Sequence, residues 1–116
     1  MTHDSALNDI EKGIQQATVL VEFGSAISRL TNNKDFKRVI GEGYFEQEAI
    51  RLVHLKADEN MQSVQAQASI VKQMDAIGAL GQFLQTKQVL ASQAMRSIAA
   101  DEETRDELLA EDLNHV

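Results

Sequence analysis

The sequence predicts an all-α protein, an antiparallel bundle of three main helices, and three observations carry that reading. Proline is absent and only six glycines occur among 116 residues, while Ala, Gln, Glu, Leu and Lys recur throughout. Such a composition suits helices and lacks the turn residues that a sheet protein needs. Apolar residues return at helical spacing in three stretches. Two polar breaks, Thr31-Asn32-Asn33 and Asp58-Glu59-Asn60, separate those stretches.

The first helix is expected to run to about Thr31 behind a frayed end of residues 1–7. Ser5 or Asn8 is placed to cap it, with Asp9 and Glu11 where a helix N-terminus favours negative charge. One apolar stripe reads Ile10, Ile14, Ala17, Val21 and Gly24, and a second reads Leu20, Phe23, Ile27 and Leu30. The pair predicts a buried face that widens toward the helix's C-terminal half. At the first break, asparagine can close one helix in the left-handed conformation and cap the next through its side chain.

The second helix begins near Lys34 with Phe36, Val39 and Ile40 inward. Gly41-Glu42-Gly43 then predicts a kink, because each glycine lowers helix propensity by about 0.8–1 kcal/mol relative to alanine. Beyond it, Phe45, Ala49, Leu52 and Val53 form one side, and Glu46, Gln47, Glu48 and Arg51 lie mostly outside. The aromatic pair Tyr44 and Phe45 is expected to pack in the core.

The third helix starts near Gln62 or Ser63 and continues to Ala100 or beyond. Over residues 69–98 it carries a heptad-like seam: Ile70, Met74, Ile77, Gly81, Leu84, Gln88, Ala91, Met95 and Ile98. At 1.5 Å per residue it would be about 58 Å long against about 35 Å for its partners. The helix is therefore expected to overhang. Either a break near Gly78-Ala79-Leu80-Gly81 folds its end back, or the overhang buries its seam on another copy or another protein. Self-association is the favoured reading, with Leu84, Leu90, Ala91, Met95 and Ile98 as the surface that meets a partner. Gly78 and Gly81 mark a close helix crossing or a flexible joint.

Charge divides the chain into a bundle domain, residues 1–100, and an acidic tail, residues 101–116. The net charge is −7, and the tail holds seven acids against Arg105 alone. A solvating, partly disordered terminus and a short docking helix presenting Leu109 and Leu113 are both consistent with that pattern. Such a balance disfavours direct nucleic-acid binding, for which Lys34, Lys37, Arg38, Arg51 and Lys56 would be the candidates. The first ten residues lack a signal-peptide pattern and no apolar run could span a bilayer, so a soluble, cytoplasmic protein is expected.

No catalytic, cofactor or metal motif is present. Cysteine is absent, which removes thiolate chemistry and cysteine-based zinc sites. Gly41-x-Gly43 lacks the third glycine and the Lys-Ser or Lys-Thr of a phosphate loop. His3 and His115 lie in the expected frayed ends, and His54 has Arg51 where a di-metal bundle would place a carboxylate. The chain is therefore expected not to be an enzyme.

The run from Arg29-Leu30-Thr31-Asn32-Asn33-Lys34-Asp35-Phe36 through Gly43-Tyr44-Phe45-Glu46-Gln47-Glu48-Ala49-Ile50-Arg51-Leu52, then Asp75-Ala76-Ile77-Gly78 and Gln82-Phe83-Leu84, resembles small helical proteins that tailed bacteriophages encode near their head-assembly genes. The likeness covers the middle half of the chain and transfers no active-site residue. It implies a phage structural or assembly factor, scaffold-like, connector-associated or packaged, found in the host cytoplasm or the virion. The alternative is a small phage regulator that binds and inhibits a host protein through its acidic tail or helical surface.

Overall fold

Two polar turns separate three helices in a computed structural model that describes residues 3–114, and no strand occurs among them. The first helix is His3–Thr31. The second winds continuously through Lys34–Phe36, Lys37–Glu48 and Ala49–Ala57, and after a 3₁₀ turn at Glu59–Met61 the third is Val64–Asn114. Helix thus begins at His3, inside the segment expected to fray. The acidic residues 101–114, expected as a partly disordered terminus or a short docking helix, form the last turns of the third helix. His115 lies outside the described residues.

Side chains make both turns. Asn32 closes the first helix by giving its amide (2.8 Å) and its backbone N–H (3.1 Å) to the Ser28 carbonyl. No described residue has the left-handed conformation expected of asparagine here. Asn33, extended at φ −66° and ψ 133°, accepts from the backbone N–H groups of Asp35 (2.9 Å) and Phe36 (3.0 Å), capping the second helix. Asp58 does the same for the second turn by accepting from the Asn60 N–H at 2.8 Å. The Gln62 and Gln67 amides both donate to the Lys56 carbonyl at 3.0 Å, and Ser63 Oγ accepts from the Ala66 N–H at 3.1 Å to start the third helix.

The helices form two compact units. One combines the chain up to Ala26 with the chain from Lys87, and the other is Ile27–Thr86. In the latter, Leu52, Ile70 and Ile77 are buried, with Tyr44, Phe45, Ala49, Leu55, Met61 and Met74 packed around them. The Tyr44 and Phe45 rings stand 5.9 Å apart at 49°, so the aromatic pair belongs to this core. A Cβ on Gly81 would lie 3.9 Å from the Phe45 ring, whereas one on Gly78 would meet nothing within 4 Å. The two glycines therefore do not act as a pair, and the helix passes through them unbroken.

The stretch Lys37–Glu48 is π-helical, with both glycines of Gly41-x-Gly43 inside it. Its apolar spacing explains the winding. Phe36, Ile40, Phe45 and Ala49 follow at steps of four, five and four, which suits a turn of between four and five residues and is too long for an α-turn. Tracing α-periodicity back from Leu52 and Ala49 would bring Arg38 onto the core face and rotate Phe36 and Ile40 away from it. The wider winding keeps both half-buried and leaves Val39, expected inward, 63% exposed.

In the other unit the first and third helices run antiparallel. Gly24 lies on Ala91, where an added Cβ would overlap the alanine methyl, and a Cβ on Gly13 would lie 3.1 Å from Asp101 Oδ2. Lys87 Nζ sits 5.8 Å from the Phe23 ring centroid. Ala17, Ala91 and Ala94 are buried. Burial on the first helix follows the stripe from Ile10 to Gly24, but of the second stripe only Ile27 is buried. Leu20, Phe23 and Leu30 are exposed, so the expected widening does not occur.

Burial along the third helix matches the predicted seam from Ile70 to Leu84 and then changes phase. It continues through Lys87, Ala91, Ala94, Ile98, Asp101, Arg105 and Leu108, so Lys87 and Ala94 take the places expected of Gln88 and Met95. Two successive steps of three, Gly81 to Leu84 and Leu84 to Lys87, amount to a three-residue insertion in the heptad pattern.

Candidate interaction surface

Winding of the second helix opens a cleft in the unit Ile27–Thr86. Its volume is about 440 Å³, and its walls are Val39, Ile40, Gly43, Tyr44, Glu48 and Leu52 with Gln73 and Ala76 of the third helix. The π-run supplies the first five of these, because it turns Ile40 and Tyr44 to the side where Leu52 closes the floor. Glu48 is tied down by Arg51: Nε lies 3.1 Å from both carboxylate oxygens and Nη2 lies 2.5 Å from Oε1. These hydrogen bonds, helped by the guanidinium charge, hold the Glu48 carboxyl below its usual range. Exposed Lys34, Lys37 and Arg38 lie on the turns that lead into the Val39 end. The cleft is mostly apolar within, the residues 34–38 that lead to its Val39 end carry three bases against Asp35, and Glu48 in its wall is neutralised by Arg51.

The second candidate surface is the acidic end of the other unit. Arg105 Nη1 reaches Glu11 Oε1 at 3.0 Å, and His3 pairs with Asp112 through Nδ1 and with Glu111 through Nε2 at 3.4 Å. The hydrogen bond to Asp112, then the charges of Asp112, Glu111 and Asp4, raise the His3 pKa above its ordinary value. His3, expected in a frayed end, is therefore part of a clasp between the two helices. Beside it, Leu109 and Leu113 are 45% and 77% exposed.

Of the predicted partner surface, Ala91 is buried on Gly24, and Leu84, Leu90 and Ile98 are half-buried. Leu90 lines a shallow groove of about 350 Å³ with Leu20 and Ala17. Only Met95, at 61%, is freely exposed. The physical reason is the antiparallel first helix, which covers most of the seam that was expected to overhang. The structure thus separates Leu109, Leu113 and Met95 from Ala91. The cleft went unread in the sequence, although the four-five-four spacing of Phe36, Ile40, Phe45 and Ala49 would have pointed to it. His54 is exposed on the second helix, and no group of three or more His, Asp or Glu side chains converges as metal ligands among the described residues.

No protein-family model, curated protein or solved structure matches the chain, so the surfaces are read from their own residues.

Proposed function

We propose that this chain is a non-enzymatic helical interaction module that self-associates. The imbalance between its core and its surface supports the reading. Among the described residues seven hydrophobics are buried, of which Leu52 and Ile70 are the large side chains below 2% exposure, whereas fourteen large hydrophobics are at least 38% exposed. Each large aliphatic side chain left in water forgoes about 1.5–3 kcal/mol of burial. Association recovers part of that. The resemblance of the middle of the chain to phage head-region proteins extends the proposal to a structural or assembly factor that acts in the infected cell or joins the particle. In this reading the Gly41-x-Gly43 segment is where the second helix bends to present its exposed residues.

Size exclusion coupled to light scattering tests the proposal. A mass that rises with concentration supports it, and a strict monomer at tens of micromolar overturns it. Mass spectrometry of purified particles carrying the gene tests the phage role: detection of the chain supports incorporation, and absence from both particles and assembly intermediates removes it.

A further inference from the structure

We propose that the contact between copies is head to tail: the acidic end of one copy's third helix places Leu109 and Leu113 in the apolar cleft of another copy's second helix. The proposal rests on the self-association reading and names the surfaces it uses.

Three observations meet here. The cleft is apolar inside, with Leu52 as its floor and Ile40 and Tyr44 on its wall, and its volume of about 440 Å³ has room for a pair of aliphatic side chains. Leu109 and Leu113 are such a pair. They lie one helical turn apart on one face, and they are the large exposed hydrophobics beyond Met95 among the described residues. The unit that holds the cleft is neutral as a whole, but residues 34–38 at one edge of the cleft carry three exposed bases against Asp35, opposite in sign to the leucine end. Residues 101–112 carry seven acids and one base, and Lys34, Lys37 and Arg38 stand exposed where the second helix leads into the cleft. Glu48, the carboxylate in the wall, is already paired with Arg51 and does not confront the incoming acids alone.

Apolar side chains at the centre and opposite charges at the edge are the arrangement that gives a contact both affinity and orientation. Because the two surfaces differ, the contact is heterologous, and copies join into rings or chains.

The test uses the full chain and sedimentation velocity, with circular dichroism to show that each variant keeps its helix content. One variant carries Leu109→Ala and Leu113→Ala; the other carries Lys34→Glu, Lys37→Glu and Arg38→Glu. All five positions are exposed. Each variant alone is expected to lose at least about tenfold in self-association. Mixed, they are expected to form one-to-one pairs, because the first retains a cleft and the second retains a leucine end. Raising NaCl from about 50 to about 500 mM should weaken the wild-type contact by roughly tenfold. If both variants associate as strongly as the wild type, the head-to-tail contact is overturned while self-association stands. A wild-type chain that stays monomeric overturns both.

Discussion

The two units hold their helices together by different means. Ile27–Thr86 fills space: Leu52, Ile70 and Ile77 are buried under a ring of aromatic and methionine side chains. The other unit closes space, bringing backbones together at Gly24 and Ala91 and burying alanines. Charge divides the same way. The unit Ile27–Thr86 balances seven acids with seven bases, whereas its counterpart carries eleven acids and four bases, the whole net charge of the chain. Burial of large side chains contributes far more than burial of methyls, so the neutral unit is the expected anchor and the acidic one the more readily opened.

The strongest way to break this contrast is Leu52→Ala. A fully buried leucine, 0% exposed, should cost about 2–5 kcal/mol, read as a lowered urea midpoint with loss of the near-ultraviolet signal of Tyr44. Next, Gly24→Ala should cost about 1–3 kcal/mol through overlap with Ala91, although alanine is the better helix former. The control is Gly78→Ala. An added Cβ there meets no atom within 4 Å, and the substitution should stabilise by about 0.5–1 kcal/mol. Hydrogen exchange should place the Gly24→Ala effect first in the amides of the acidic unit; uniform acceleration in both units would erase the distinction drawn between them. Loss of the cap in Asn33→Ala should cost about 1 kcal/mol in chemical denaturation.

The smallest effect concerns pH. The His3 pKa is raised by its hydrogen bond to Asp112, so the protonated clasp is fully present below the ordinary histidine value and is lost as pH rises through the raised one. Amides near the first turns should exchange faster above that point, beyond the intrinsic base-catalysed increase. Replacing His3 by Gln should remove the pH dependence.

Much of this fold was legible in the sequence because its signals are local. Asn33, Asp58 and Ser63 occupy the breaks that turn chemistry requires, and Ile10 to Gly24 and Ile70 to Leu84 follow the helical period. What escaped notice depends on partners. Met95 outranks Ala94 in any hydrophobic pattern, yet against a nearby helix the small residue fits and the long one is left outside. Lys87 covers apolar surface with its stem while its ammonium faces the Phe23 ring. For the same reason the first helix claims Ala91, while Leu109 and Leu113, also read as interaction residues, stay exposed. The cleft escaped because a four-five-four spacing matches neither the α-helical and heptad periods nor that of a strand.

The winding at Lys37–Glu48 has a further consequence for chain length. Remove Gly41 and Glu42, and Phe36, Ile40, Phe45, Ala49 and Leu52 fall at steps of four, three, four and three, the rhythm of an ordinary α-helical seam. The second helix therefore holds two residues more than its inward face needs. Its wide turns store that surplus without rotating anything downstream, which makes this segment a place where the chain can differ in length and still present the same side chains to its core.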